Sequence, residues 1–280
     1  MITIAEALKI AAAQLLPGSE TPRLDAQLLL GHVLGTTRSA LIAQDEAWLA
    51  EERQAAFEAL VRQRAQGAPV AYLTGMREFW SLAVGVSPAV LVPRPETEML
   101  VELALQRLPP QRPCSVLDLG TGSGAVALAI ASERPLARVT GTDISAAALA
   151  IATANARRLG QRNVRWRLGS WFAAAAGERF DLIVSNPPYI GADDPALARL
   201  RAEPALALTP GPSGLEALAA IVAGAAEHLA PGGWLLLEHG SGQAEDVSRL
   251  FEQRGFLQTR THPDHSDLPR VTLATTSRPT

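Results

Sequence analysis

One short stretch constrains the fold more than any other: Asp118-Leu119-Gly120-Thr121-Gly122-Ser123-Gly124, wedged between an apolar run at 115–119 and a helical run at 125–133. A carboxylate near the end of a strand, followed by three glycines at alternate positions, describes a tight strand-to-helix turn whose bare backbone lets a ligand come close. Such a turn needs a sheet behind it, and the rest of the chain supplies one. Apolar strand runs at 139–142, 164–168, 181–185 and 234–238 alternate with helical runs at 145–159, 214–229 and 242–254. That alternation predicts an α/β fold: a parallel sheet doubly wound with helices on both faces, with ligands at the carboxyl ends of the strands. The ending differs. Runs at 256–261 and 270–275 have no helix between them, which predicts a terminal antiparallel hairpin.

Upstream, residues 1–75 read as helices only. Ile4, Leu8, Ala11, Ala12 and Leu15 recur at helical spacing before Pro17-Gly18; Leu24, Leu28, Val33 and Leu34 repeat the pattern. So do Leu49, Phe57, Leu60 and Val61, before a break at Gly67-Ala68-Pro69. Residues 76–92 alternate, with Phe79, Trp80, Val84 and Val86 around Gly85, and predict a β-hairpin linker. The sheet domain then occupies 93–280, opening with a helix from about Pro95. The helical domain holds no phosphate loop and no paired catalytic carboxylates. It is either a structural cap or a docking surface for a substrate.

Composition excludes more than it proves. Hydrophobic residues make up 48% and charged residues 19% of 280, as in folded proteins. A net charge of −3 gives no global basic field, so stable nucleic acid binding is not expected, although Arg157, Arg158, Arg162, Arg165 and Arg167 form a local cluster. The single cysteine, Cys114, rules out an intrachain disulfide and a cysteine-rich zinc site, and no metal is expected. The first ten residues lack a signal-peptide layout, and no apolar run approaches the ~20 residues that span a bilayer. A cytoplasmic protein without membrane contact is the expectation.

Three further features carry chemistry. Asp143 ends the second strand run about 20 residues beyond the glycines, where a carboxylate can accept from both hydroxyls of a ribose. Trp171 follows the third strand run and offers a ring to cover an adenine. The other feature, Asn186-Pro187-Pro188-Tyr189, comes directly after the run at 181–185, at the ligand end of its strand. The prolines stiffen the turn. An amide nitrogen is a poor nucleophile because its lone pair is shared with the carbonyl, so a group transfer to it needs positioning more than base catalysis. Asn186 offers a side-chain oxygen and Pro187 a fixed carbonyl, two acceptors for one NH₂ group, while Tyr189 can pack on a flat amide.

The acidic glycine loop resembles the first motif of class I, Rossmann-like methyltransferases, not the G-x-G-x-x-G of dinucleotide sites, which implies S-adenosyl-L-methionine as cofactor. The chain as a whole resembles the HemK/PrmC family, the peptide chain release factor glutamine N5-methyltransferases. The matching pieces are the helical amino-terminal domain, Pro93-Arg94-Pro95-Glu96-Thr97-Glu98, the glycine loop, the Asp143 segment with Asn155-Ala156, Ser185-Asn186-Pro187-Pro188-Tyr189-Ile190, and Glu203-Pro204-Ala205-Leu206 before Gly214-Leu215. The resemblance implies cofactor contacts from Gly120, Thr121, Gly122, Ser123, Gly124, Asp143, Trp171 and Asn186. It also implies that Asn186, Pro187, Pro188 and Tyr189 hold the glutamine of the release factor's Gly-Gly-Gln motif. The chain departs from the family pattern at Gly169-Ser170-Trp171, where the pattern is Ser-Asp-Trp, and its tail from His265 to Arg270 fits only in part.

Other readings share these motifs. Asn-Pro-Pro-Tyr also serves exocyclic aromatic amines, so a DNA adenine-N6 methyltransferase is one; it would need base flipping and a basic groove. The glutamine methyltransferase of ribosomal protein L3 is another and differs mainly in its amino-terminal part. A cofactor-binding module without activity is the third.

Overall fold

Thr3 starts the first helix with a reciprocal cap: its hydroxyl accepts from the Glu6 amide at 3.2 Å while the Glu6 carboxylate accepts from the Thr3 amide at 2.9 Å. The computed structural model describes residues 2–276, which fall into two units, one running through Met76 and the other from Arg77. The first unit is helical: α1 (Ile4–Leu15), α2 (Pro22–Leu34), α3 (Arg38–Ala43), α4 (Glu51–Ala65) and α5 (Val70–Thr74). Its own core joins Ile4, Ala11 and Leu15 of α1 to Leu29 and Leu30 of α2 and to Phe57 and Val61 of α4. The Arg64 guanidinium, 2.7 Å from the Asp25 carboxylate, ties α4 to α2.

The helical spacing puts Leu28 on the buried face of α2, but Leu28 is exposed and Ala26, Leu29 and Leu30 are buried. Three consecutive leucines suit several phases of a helix, and packing on α1 and α4 picks one. The short helices α3 and α5 leave no periodic trace in the sequence because each buries a single apolar side chain, Leu41 and Ala71.

From Met76 the chain forms a small hairpin, β1 (Met76–Phe79) and β2 (Leu82–Gly85). Trp80 and Ser81 turn it with φ of 51° and 57°, the left-handed pair that matches strand twist. The hairpin is shorter than the expected 76–92, for residues 86–92 run as turns and extended loop with Val86, Val90 and Val92 buried. A 3₁₀ turn, Pro95–Thr97, precedes α6 (Glu98–Leu105), so the α-helix begins three residues later than Pro95 alone suggests.

Strands and helices then alternate as β3 (Cys114–Leu119), α7 (Ala125–Glu133), β4 (Ala137–Asp143), α8 (Ala146–Arg158), β5 (Val164–Leu168), β6 (Phe180–Ser185), α9 (Glu216–His228), β7 (Leu229–Glu238), α10 (Ala244–Gln253), β8 (Leu257–Pro263) and β9 (Pro269–Thr275). The seven strands stand in the order β5-β4-β3-β6-β7-β9-β8. All pairs are parallel through β7, and β9 runs antiparallel to both β7 and β8. The doubly wound sheet with a terminal antiparallel hairpin is as the alternation predicts. Two cores flank it, one built around Leu100, Val116, Ile130 and Val184, the other around Leu117, Ile183, Leu218 and Phe251. Strand order reverses at β3, which lies between β4 and β6, so a crevice opens beyond their carboxyl ends.

Candidate active site

The crevice holds a cavity of about 440 Å³, within the roughly 300–1,000 Å³ common for small-molecule sites. Each strand end delivers one part of it. Past β3 the glycine loop turns with Gly120, Gly122 and Gly124 at φ of 70°, 56° and 82°, a run that side chains would strain. Thr121 is pinned inside this loop, its hydroxyl donating to Asp118 at 2.6 Å and its amide to the Thr142 carbonyl at 2.9 Å.

Asp143 at the end of β4 holds the loop from the other side. Its two oxygens accept from the Gly122 amide at 2.9 Å and the Ser145 amide at 2.8 Å. Each oxygen keeps a lone pair for a ligand. Ser145 caps α8 through the Ala148 amide at 3.1 Å. The Asn155 amide bonds Ser123 at 2.8 Å and both backbone groups of Gly85, which fastens the loop to the small hairpin.

Past β5, Trp171 takes φ of 45°, unusual for a large side chain. Its neighbour Phe172 anchors the turn by stacking on His228, ring centroids 4.6 Å apart. The Trp171 ring lies against the loop, 3.7 Å from where a methyl on Gly120 would stand.

Past β6 come Asn186 and the two prolines. The Asn186 amide donates to the Thr97 hydroxyl at 3.0 Å, and its oxygen accepts nothing from the described residues. The Tyr189 hydroxyl donates to Glu238 at 3.2 Å, and its carbonyl accepts from Gln243 at 3.0 Å. A side chain at Gly214 would put a carbon 2.5 Å from that same carbonyl, which accounts for the glycine there.

The structure therefore gathers most of the sequence candidates on one cavity wall. Gly120, Thr121, Gly122 and Ser123 line it, as do Asp143, Trp171, Asn186 and Pro188. Gly124, Pro187 and Tyr189 do not. Gly124 begins α7, Pro187 is buried, and Tyr189 packs against the second core with its hydroxyl turned to Glu238.

Three participants are not singled out by sequence reasoning. Thr97 and Glu238 hold the Asn186 turn, and Glu203 accepts from the Val92 amide at 3.0 Å and pairs with Arg94, bracing the segment over the cavity. Thr97 and Glu203 lie within the family motifs, but Glu238 stands at the end of an apolar strand where only its placement against β9 and Tyr189 reveals a use.

The electrostatics are one-sided. Asp118, Asp143 and Glu216 are the ionisable residues on the described lining; no lysine, arginine or histidine is among them. Burial raises the Asp118 carboxyl to about 7, against hydrogen bonds from Thr121 and the Ala127 amide, with Asp143 adding to the rise. Burial likewise raises Glu238 to about 7, opposed by the Thr97 hydroxyl, Arg270 and the Tyr189 hydroxyl, and aided by Glu96. The Tyr189 phenol is raised by burial and then by Glu238.

Comparison with known proteins decides the family. The chain is 53% identical to a release factor glutamine methyltransferase of Xylella fastidiosa over 90% of this chain and 92% of that one. Against the Escherichia coli protein of that name the figures are 47%, 92% and 94%, and against that of Coxiella burnetii 46%, 98% and 99%. The chain belongs to the release factor glutamine methyltransferase family. Within it, residues 6–75 match the PrmC N-terminal domain and residues 97–211 the methyltransferase small domain. Solved structures agree on the fold. A methyltransferase from Pyrococcus furiosus superposes with a TM-score of 0.55 at 17% identity, covering 79% of this chain and 98% of that one. A 16S rRNA N2 G1207 methyltransferase of Thermus thermophilus, solved with AdoMet and guanosine, gives 0.56 at 23% identity over 72% and 50%. This family member thus carries a class I methyltransferase domain preceded by a small helical one.

Proposed function

We propose that this chain transfers a methyl group from S-adenosyl-L-methionine to the side-chain amide nitrogen, N5, of the glutamine in the Gly-Gly-Gln motif of peptide chain release factors, modulating translation termination. It is a protein-(glutamine-N5) methyltransferase. The observation that carries this reading is Asn186: it lines the cavity, its NH₂ is engaged by Thr97, and its acceptor oxygen is left for a ligand. Family membership points the same way.

The residues present fit the cofactor. A lining whose ionisable groups are all acidic suits a ligand bearing a sulfonium and an ammonium and disfavours a pyrophosphate. Gly120–Ser123 would hold the methionine end, Asp143 the ribose hydroxyls and Trp171 the adenine, while Gly124 turns the loop into α7. When bound, the cofactor supplies a methyl on a positively charged sulfur that needs little further activation. The protein then has one task, to hold the substrate nitrogen. Asn186 Oδ1 would accept one N–H of the glutamine amide, with Pro188 on the lining limiting the turn; Pro187, whose carbonyl the sequence offers as the second acceptor, is buried off the lining. Tyr189 contributes by pinning that turn through Glu238.

The helical domain would dock the release factor, since the cofactor loop and the Asn186 turn both lie beyond residue 90. The PrmC N-terminal match supports release factor over ribosomal protein L3, whose enzymes differ mainly in that part. Release factors place the work in the cytoplasm, with no stable nucleic acid contact. Among the described residues no helix is long and apolar enough to cross a membrane.

Incubation of the protein with isotope-labelled S-adenosylmethionine and intact release factor, followed by peptide mass spectrometry, should find one methyl on the Gly-Gly-Gln glutamine. Asn186→Ala should slow this by roughly 100-fold or more, the scale of losing one preorganised hydrogen-bonding group. Label on adenine or on another residue, or a near-normal rate for that variant, refutes the assignment.

A further inference from the structure

The segment Pro93-Arg94-Pro95 is stiff. Its two prolines fix their own φ and confine Arg94 between them to extended backbone, with φ of −100° and ψ of 145°. A rigid run of this kind carries a displacement from one end to the other. At one end Val92 is buried, and its amide donates to Glu203 Oε2 at 3.0 Å; beside it the Arg94 guanidinium pairs with Glu203 Oε1. At the other end Thr97 accepts from Asn186 Nδ2 at 3.0 Å. Glu203 is itself buried, and both of its oxygens are committed to this segment.

Glu203 in turn begins the stretch that leads back to the Asn186 turn. Pro204 follows it, and the Leu208 carbonyl accepts from the Ile190 amide at 3.0 Å, after which the Gly211 carbonyl accepts from Ala192 at 3.0 Å. The hydrogen bonds therefore close a ring. It runs from Asn186 to Thr97, back along the chain to Arg94 and Val92, across to Glu203, on to Leu208, and across to Ile190 beside the turn. Each arc puts residues on the cavity wall: Pro93 and Thr97 from the first, Pro204 and Leu206 from the second, Asn186 and Pro188 from the third. Leu206 is 60% exposed, so the second arc reaches the open edge of the cavity. Arg94 and Glu203 are not on the described wall; they fasten it. The parts that suit the cofactor, Gly120–Ser123, Asp143 and Trp171, follow β3, β4 and β5 and stand outside the ring.

We propose that Arg94 and Glu203 are positioning residues that close a collar around the mouth of the cavity, and that the collar fixes the Asn186 turn against the opposite wall for the substrate amide. This rests on the acceptor role of Asn186 given above. Without the Glu203 bonds the ring opens, and the Asn186 turn becomes the hinge between two segments that otherwise brace it. Asn186 Oδ1 is then held less firmly in the direction the amide must take. A misplacement of about 1 Å can cost on the order of 100-fold in rate. Cofactor binding depends instead on strand ends that the ring does not touch. The collar thus acts on the glutamine and not on the cofactor.

The test uses the full chain and measures kcat and KM for intact release factor, kcat/KM for a Gly-Gly-Gln peptide, and Kd for S-adenosylhomocysteine by titration calorimetry. Thermal unfolding checks the folding of each variant. Glu203→Leu removes both bonds at similar size and should lower kcat on the order of 10–100-fold, with KM and Kd little changed and the peptide's kcat/KM falling in the same proportion. Glu203→Gln still accepts from the Val92 amide but turns an NH₂ to Arg94, and should show a smaller loss of the same kind. Arg94→Gln should resemble Glu203→Gln when made alone. Beside Glu203→Leu it should cost nothing further, because Arg94 has already lost its partner there. If Glu203→Leu does not fold, Glu203→Gln takes its place in every comparison. A folded Glu203→Leu at wild-type kcat, a loss for intact factor alone, a loss carried by KM, a matching loss of cofactor affinity, or additive effects of the two positions overturns the collar. Asn186→Ala is assayed in parallel. If it is slow while Glu203→Leu is not, only the collar fails; if it keeps the wild-type rate, the acceptor reading fails with it.

Discussion

Substituting Asp143 probes the cofactor site most directly, and the structure makes an unexpected demand on the result. The carboxylate does two things: it would bind the ribose, and it holds the glycine loop through the Gly122 and Ser145 amides at 2.9 and 2.8 Å. Hydrogen bonds to a charged group contribute roughly 1.5–3 kcal/mol, or about 10–150-fold in affinity. Asp143→Ala forfeits that contribution and leaves the loop less organised. Asparagine is usually the gentle replacement for aspartate, but here two backbone donors face two carboxylate oxygens. The asparagine of Asp143→Asn presents one oxygen and one NH₂, so either Gly122 or Ser145 would meet a donor. Both variants should therefore raise the Kd for S-adenosylhomocysteine by about 10–100-fold, and within about threefold of each other. Titration calorimetry measures this directly, with unfolding curves taken without ligand to confirm that each variant folds. A folded Asp143→Ala with wild-type affinity removes the carboxylate from the site. A weak alanine variant beside a near-normal asparagine variant would refute the two-donor argument while leaving the ribose contact standing.

The remaining expectations concern the helical domain and a buried acid. A chain starting at Arg77 retains both sheet cores and should still bind S-adenosylmethionine, but should methylate intact release factor poorly, because specific protein recognition ordinarily buries well over ~1,000 Å². An unchanged ratio of kcat/KM for intact factor over a Gly-Gly-Gln peptide would show that the domain does not dock the substrate. Asp118 has its folded pKa raised from 3.8 to about 7, so its protonated form stabilises the fold at low pH and that stability is lost as pH rises toward about 7. Against ligand-free wild type, Asp118→Asn should gain relative stability between pH 5 and 7, by an amount on the order of 3 kcal/mol at most, and the difference should level off above that. Denaturant melts showing no pH dependence of the difference would place the Asp118 pKa elsewhere.

Local pattern alone determined the sheet, its terminal hairpin and the loops at its ligand edge. Alternating strand and helix periods, glycines at alternate positions after an acid, and a stiff Asn-Pro-Pro turn are short-range facts, each written in neighbouring residues. The terminal hairpin was legible because two strand runs lacked a helix between them, and β8 and β9 do pair antiparallel. What the tertiary structure decided is everything that depends on residues far apart in the chain. The phase of α2 came from α1 and α4, because three successive leucines carry no phase of their own. The contacts that hold the Asn186 turn span 89 positions from Thr97 to Asn186 and 49 from Tyr189 to Glu238. A glutamate closing an apolar strand looks like the end of a run until the fold buries it beside Tyr189 and Arg270 and raises its pKa. Burial and hydrogen-bond partners are properties of packing, and so the residues that hold the Asn186 turn became visible only when the strands stood side by side.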